Sequence, residues 1–223
     1  SSFDFGRRIP KPEHAELLDW LASELIASDW KMKKIHRIIL TSETWKRSAS
    51  NLHADPKTIK MDKKNQYYWR MNSRRMESQV VRDSLLHIAG KLDLKMGGPS
   101  INPSPDSSRR ALYFLHSRDQ QSKFLATFDD AEILACYERT ESIVPQQALA
   151  LSNAKLPIQI SENLGKTGPK EDTDFITELF QKILCRMPTD EELHECLQFL
   201  NKMPKRDRLA HALLTHNDFL TIR

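Results

Sequence analysis

The chain has 223 residues, with 34 Lys and Arg against 30 Asp and Glu, and a formal net charge of +4 at pH 7. A chain of this length buries a hydrophobic core without needing disulfides or metals, and its 39% hydrophobic and 29% charged residues are typical of a folded globular protein. No run of 18 apolar residues is present, which argues against a membrane-spanning helix.

Two helices are predicted near the N-terminus. Pro12 and Glu13 mark a helix start, and leucines then recur with helical spacing to about residue 28. Three isoleucines between residues 35 and 39 predict a second helix, and Thr41 with Ser42 predicts the cap of a short third one. From residue 48 to 66 the periodicity disappears, which indicates a lysine-rich surface loop.

The strongest helical pattern lies in the middle of the chain. Apolar residues from Ser73 to Ala89 form one helical face, and Gly90 is a suitable C-terminal stop. We expect this central helix to organise the packing of the fold. Residues 91–110 are rich in Gly and Pro and predict a long irregular segment, and residues 111–115 form the one short run that resembles a strand.

The C-terminal part predicts further helices. One begins near Pro145 and an amphipathic stretch runs to Leu164, while three more are expected near 172–186, 190–202 and 206–217. The predicted fold is all-α, an irregular multi-helix domain with long loops and at most one short extended segment. Residues 1–164 are predicted as the main helical domain, 165–170 as a linker, and 171–223 as a small helical subdomain packed on it.

The densest group of charges falls on the predicted central helix. It consists of Arg74, Arg75, Glu77, Arg82 and Asp83. A spacing of three places Arg74 and Glu77 on the same helical face. Two interpretations stay open: the guanidinium groups form an anion or carbohydrate site in a pocket closed by residues 97–110, or they form an ion-pair lattice that holds loops to the helix.

A second polar group follows in a predicted loop. Asp129, Glu138, Arg139 and Glu141 lie close together in sequence. Paired carboxylates can perform acid–base chemistry, but the spacing does not establish that these side chains converge. Asp129 and Arg139 are added to the candidate binding residues.

Local motifs of common cofactor and catalytic sites are absent from the sequence. There is no Cys-x-x-Cys-His, so we expect no cofactor in this chain and haem c, if any, elsewhere in the parent protein. His-Glu-x-x-His and Gly-x-Ser-x-Gly are missing, so we expect no metal site of that kind and no serine hydrolase. Among the three cysteines, either Cys185 and Cys196 meet, or all three, including Cys136, are small buried apolar residues.

Positive charge is concentrated in the N-terminal part. Residues 1–100 carry a net charge of +7 and the remainder −3. Seven Lys and Arg between residues 57 and 75 surround Tyr67, Tyr68 and Trp69, a combination that occurs in nucleic-acid and sugar binding. The alternative interpretation divides these aromatic residues between the core and its rim.

Several segments together resemble one known family. In chain order they include Asp4-Phe5-Gly6, Leu17-Leu18-Asp19-Trp20, Asp29-Trp30-Lys31, Trp69-Arg70-Met71-Asn72, Arg74-Arg75-Met76-Glu77, Arg82-Asp83, Gly97-Gly98-Pro99 and Pro145-Gln146-Gln147. This set resembles the family called domain of unknown function 1553 and extends over nearly the whole chain.

The resemblance implies a largely helical, extracytoplasmic domain, periplasmic or at the cell surface. It also implies that the chain is the C-terminal part of a planctomycete-type multidomain protein, many of which carry a cytochrome c domain. The resemblance supplies no catalytic residue. The family's domain usually begins earlier, so we expect a fragment truncated at its N-terminus, with self-association through the apolar surface thus exposed.

Three hypotheses about function follow. The first is a structural or interaction domain whose partners are neighbouring domains of the parent chain. The alternative is part of a carbohydrate-active or redox enzyme with an Arg/Glu-lined pocket, for which polysaccharide is the expected partner. Nucleic-acid binding is the least favoured, because the helix-turn-helix that residues 29–47 suggest has too short a second helix. Whether the chain is an enzyme stays open.

Overall fold

Helices account for most of the structure, a computed structural model that describes residues 10–51, 54–134 and 141–222. These residues contain ten α-helices and one two-stranded sheet, which confirms the predicted all-α class. The chain forms two compact units, one up to Ser73 and one from Arg74 to Ile222.

The first unit contains a pair of helices and a short third one. Helices α1 (Ala15–Ala27) and α2 (Met32–Thr41) pack against each other, as the apolar spacing predicts. Asp29 and Trp30 between them adopt left-handed backbone conformations, with φ of 56° and 57°. Helix α3 (Pro56–Met61) begins with proline, and Asp55 caps it by accepting from the backbone N–H of Lys57 at 2.9 Å.

The second unit begins and ends in a short antiparallel sheet. Strand β1 (Arg74–Arg75) pairs with β2 (Thr221–Ile222), and Arg74 lies opposite Ile222. The helices between them are α4 (Ser78–Ile88), α5 (Lys123–Thr127), α6 (Pro145–Asn153), α7 (Lys155–Thr167), α8 (Asp172–Leu179), α9 (Asp190–Lys202) and α10 (Arg206–Leu214). Two 3-10 turns, Ala111–Tyr113 and Asn217–Leu220, and a π-helical turn, Phe180–Leu184, complete it.

The core of the second unit forms around α4, α7, α8 and α10. Val81 and Leu85 of α4 are completely buried in it, so α4 is central to the packing, as expected. Gly165 lets α7 approach α10, because a Cβ there would lie 2.8 Å from the backbone nitrogen of Asp207. No helix in the described part of the chain is long and apolar enough to cross a bilayer.

Several local predictions differ from the structure. The segment after Ser42, predicted to begin a short third helix, forms turns instead. Helix α3 lies within residues 48–66, which the sequence predicts to be a loop. The central helix begins at Ser78 rather than 73, because β1 pairs with β2 from the other end of the unit. Residues 111–113 form a 3-10 turn instead of a strand. The predicted linker at 165–170 overlaps α7, which continues to Thr167, and the boundary between compact units lies after Ser73.

Candidate functional site

A cavity of about 390 Å³ lies in the second unit, where the sheet and the start of α4 come together. Its polar lining residues are Arg74, Arg75, Glu77, Asp129, Glu141 and Gln147. Its apolar lining residues are Met76, Val80, Phe128, Leu220 and Ile222. This volume lies within the range of small-molecule pockets.

The guanidinium group of Arg75 is fixed by a buried amide. Arg75 Nη2 donates to Gln147 Oε1 at 2.8 Å, and Gln147 is only 3% exposed. Gln147 Nε2 in turn donates to Asp129 Oδ2 at 3.2 Å and to Ser142 Oγ at 3.3 Å. This is the one hydrogen bond of the Arg75 side chain to a described residue, so the described residues use only one of its five N–H donors.

Asp129 is a positioning residue in this arrangement. Its backbone is left-handed, with φ of 57°, and its carboxylate accepts from the backbone N–H of Ser142 at 2.8 Å and from its hydroxyl at 2.7 Å. With the bond from Gln147, three of about four acceptor positions on the carboxylate are used. Asp129 therefore holds Ser142 and Gln147 in place and has little capacity left for a ligand.

The remaining charged residues of the cavity are more accessible. Arg74 and Glu141 are exposed, and neither side chain forms a hydrogen bond or ion pair with a residue that the structure describes. Glu77, the residue that precedes α4, is exposed. The cavity therefore combines guanidinium donors with carboxylate acceptors, and its two Arg and three acidic residues do not produce an excess of positive charge.

Arg82 lies away from this cavity and serves the fold. It is 4% exposed, and its guanidinium donates to the carbonyl of Arg109 at 3.0 Å and to that of Ser107. The same group lies 4.6 Å from the centroid of the Phe114 ring. Burial lowers the pKa of Arg82, and the neighbouring Asp83 partly offsets that effect.

Asp83 completes the attachment of the irregular segment to α4. Its two carboxylate oxygens accept from the backbone N–H of Ala111 at 2.9 and 3.2 Å, and Oδ1 also accepts from Arg82 at 3.3 Å. The residues between 97 and 110 do not line the cavity. For Arg82 and Asp83 the geometry agrees with the lattice interpretation rather than with a ligand site.

The structure thus divides the candidate residues. It brings Arg74, Arg75, Glu77 and Asp129 to one cavity and leaves Arg82 and Asp83 outside it, while Arg139 is outside the described residues. Arg74 and Glu77 do not share a helical face as predicted, because β1 is extended. Sequence analysis missed Gln147 as a functional residue, and its position two residues after the helix-starting Pro145 carries no signal for such a role.

Neither cysteine nor histidine lines the cavity as the described residues define it. No group of three or more His, Cys, Asp or Glu within the described ranges could hold a metal ion. Cys185 and Cys196 are both free thiols, so the predicted alternative in which they pair is wrong. Cys185 is exposed and Cys196 is half-buried, so the alternative in which all three cysteines are buried is wrong as well. Burial raises the pKa of the Cys196 thiol, and Cys136 lies outside the described residues.

Comparison with known proteins gives one match. Neither the curated proteins nor the solved structures yield a match to this chain. A family model does match, over residues 1–200, and it agrees with the resemblance carried by the sequence segments. Because the match covers most of the chain, the chain belongs to the PSD1 family, described as "Protein of unknown function (DUF1553)".

Proposed function

We propose that the chain is an interaction domain that binds a neutral sugar segment of a polysaccharide in the cavity of its second unit. The supporting observation is that one cavity combines guanidinium donors, carboxylate acceptors and an apolar wall. Sugar hydroxyls both donate and accept hydrogen bonds, and the carbon faces of a sugar ring pack on apolar side chains. This combination suits a polyhydroxylated ring.

The balance of charge favours a sugar over a strong anion. Arg74 and Arg75 stand beside Glu77, Asp129 and Glu141, so a phosphate or sulfate entering the cavity would meet carboxylates as well as guanidinium groups. Like charges in such proximity disfavour binding. Sites for strong anions usually present positive charge or backbone amides without nearby acids.

The proposal is tested by calorimetry with neutral oligosaccharides. Cello-, xylo-, manno- and galacto-oligosaccharides are titrated into the complete chain, and at least one series is expected to bind. Glu141→Gln and Arg74→Met are each expected to weaken that binding about tenfold, the effect of one lost hydrogen bond to a charged group. Neither side chain forms a hydrogen bond or ion pair with a described residue, so both variants are expected to fold normally.

Glu162→Gln is the matched control, since Glu162 is exposed on α7 and does not line the cavity. It is expected to bind like the wild type. The proposal fails if none of these oligosaccharides binds. It also fails if binding is equally strong in Glu141→Gln and Arg74→Met.

A carbohydrate-active enzyme is the second candidate. Glu77 and Glu141 line the same cavity, and glycoside hydrolysis uses a pair of carboxyl groups, one as acid and one as base or nucleophile. Release of reducing ends from the bound oligosaccharide, abolished in both Glu77→Gln and Glu141→Gln, would support this alternative. Binding without any release supports the interaction domain.

We place this domain in an extracytoplasmic, planctomycete-type multidomain protein associated with cytochrome c. The support is the sequence resemblance described above. In this proposal the partners are neighbouring domains of the parent protein together with polysaccharide. In the same proposal, haem c is attached elsewhere in the parent protein, since this chain lacks a Cys-x-x-Cys-His motif. Detection of the native protein in a periplasmic or surface fraction, with haem staining of the parent chain, tests this placement.

A further inference from the structure

Two adjacent tyrosines stand at the surface of the first unit. Tyr67 is 77% exposed and Tyr68 is 43% exposed. The backbone of Tyr68 is left-handed, with φ of 52°, a conformation that costs a non-glycine residue about 1–2 kcal/mol. The ring of His14 packs on Tyr68 with centroids 5.1 Å apart and meets Tyr67 edge-on at 6.2 Å. Neighbouring groups therefore hold these rings in exposed positions.

A buried polar frame lies beneath the tyrosines. Asp62 is 9% exposed, and its two carboxylate oxygens accept from the backbone N–H groups of Gln66 and Tyr67, both at 2.8 Å. Asn65 is 2% exposed, accepts from the backbone N–H of Arg70 at 3.1 Å and donates to its carbonyl at 2.7 Å. Buried polar groups are costly unless they are paired, so these bonds favour one conformation of the loop.

Two further side chains fix the same loop. The indole N–H of Trp69 donates to the carbonyl of Asp62 at 2.8 Å. Arg47 Nη1 donates to the carbonyl of Tyr68 at 2.5 Å. The tyrosine pair is therefore preorganised, which reduces the conformational entropy that a ligand would have to remove on binding.

Exposed lysines accompany the aromatic rings, and the carboxylate of Glu13 also contacts this loop, accepting from Gln66 Nε2 at 2.8 Å. Lys57, Lys60, Lys63 and Lys64 are all exposed, and none forms an ion pair with a residue that the structure describes. The one acidic residue between 57 and 69 is Asp62, whose carboxylate binds backbone amides inside the loop. This segment therefore presents aromatic rings together with free ammonium groups.

We propose that this tyrosine–lysine surface, formed by Tyr67, Tyr68 and the four lysines, binds an acidic polysaccharide. Sugar rings stack on the tyrosines, and the carboxylate or sulfate groups of the polymer pair with the ammonium groups. The proposal does not rest on the cavity of the second unit, because every residue named here belongs to the first.

The arginines near this surface are engaged by the loop itself. Their guanidinium fork matches both carboxylate and phosphate groups. Here Arg47 donates to the carbonyl of Tyr68, and Arg70 donates to the carbonyl of Met71 at 3.2 Å, so the arginines serve the loop. The lysines left at the surface act as point charges and suit negative groups spaced along a sugar polymer.

The test measures binding of polygalacturonate to the complete chain by calorimetry, with dextran as the uncharged comparison. Tyr67→Ala is expected to weaken binding about fivefold to tenfold, the order of one lost stacking contact, whereas Tyr67→Phe, which keeps the ring, binds like the wild type. The double variant Lys63→Gln/Lys64→Gln is expected to bind more weakly and with a smaller dependence on salt. Dextran is expected to bind at least tenfold more weakly than polygalacturonate.

The matched control removes two lysines from the second unit. Lys155 and Lys205 are likewise exposed and form no ion pair with a residue that the structure describes, and Lys155→Gln/Lys205→Gln is expected to leave binding unchanged. Failure of polygalacturonate to bind at low salt overturns the proposal, and so does an equal loss in this control or no loss in Tyr67→Ala. Tighter binding of oligothymidylate than of polygalacturonate also overturns it and assigns the surface to single-stranded nucleic acid.

Discussion

Replacing Arg82 by Met tests whether a buried arginine supports the fold or binds a ligand. Its guanidinium is 4% exposed and donates to the carbonyls of Arg109 and Ser107 while covering the ring of Phe114. Methionine keeps an unbranched apolar stem over that ring but donates no hydrogen bond. The substitution therefore leaves two loop carbonyls without their donor.

The expected loss follows from these contacts. A hydrogen bond to a charged group contributes about 1.5–3 kcal/mol, so the two lost bonds to carbonyls amount to about 3–6 kcal/mol. The longer bond from Arg82 to Asp83, at 3.3 Å, is lost as well. Part of this is regained, because burying a guanidinium is itself unfavourable, as the lowered pKa of Arg82 indicates. We expect the free energy of unfolding of the second unit to fall by about 2–4 kcal/mol, which lowers its Tm by roughly 5–15 °C.

Urea unfolding followed by far-ultraviolet circular dichroism measures this change, and Arg74→Met is the control. Arg74 is exposed, and its side chain has no hydrogen bond or ion pair to a described residue, so its replacement is expected to change stability by less than about 0.5 kcal/mol. Oligosaccharide binding is expected to show the opposite pattern, with Arg74→Met defective and folded Arg82→Met normal. The structural role of Arg82 is refuted if Arg82→Met is as stable as the wild type, whether or not the variant still binds the oligosaccharide.

Substitutions at three further positions test the fold. In Gly168→Ala the new methyl group lies 2.7 Å from Cε2 of the buried Phe175, and thermal melts are expected to show a loss of about 1–3 kcal/mol; an unchanged Tm would contradict this packing. Gly90 has open space around it but a φ of +66°. Gly90→Ala is therefore expected to lower the free energy of unfolding by about 1 kcal/mol through backbone strain alone, and Gly90→Asn is expected to lower it by less. Equal Tm values for the two variants would contradict this. The bidentate bond from Arg186 lowers the pKa of Glu192 from 4.5 to about 2. Its stabilisation, about 1–2 kcal/mol after solvent screening, is present above pH 4.5 and disappears as the pH falls towards 2. The difference in unfolding free energy between wild type and Glu192→Gln must therefore shrink over that interval, and a constant difference would count against the assignment.

The sequence predicts helices best where the start signal is local. Thr189 precedes three acidic residues, and the structure shows Thr189 capping α9 in a reciprocal bond with Glu192. All the information for that start lies within four residues. The start of α4 is different, since Arg74 and Arg75 pair with β2 from the far end of the unit, and local periodicity contains nothing about that partner.

Prediction of the site was limited for the same reason. Arg75 and Arg82 belong to one dense run of charge, and neither spacing nor residue type distinguishes them. Burial separates them: Arg82 lies beneath the irregular segment that it binds, whereas Arg75 reaches Gln147 at the edge of a cavity. Both environments are produced by tertiary contacts with residues distant in sequence.

The use of arginine donors provides a physical criterion for assigning these residues. Four arginines of the second unit donate to carbonyls of irregular segments and cover an aromatic ring: Arg82 over Phe114, Arg109 over Tyr113, Arg186 over Phe180 and Arg206 over Phe175. Irregular backbone leaves carbonyls that need donors, and the five-donor guanidinium fork can serve several of them at once. Arg75 instead has a single bond to a neutral amide, and Arg74 has none to a described residue. Donors left unused beside a cavity remain available to a ligand, so binding and stability are expected to respond to different arginines.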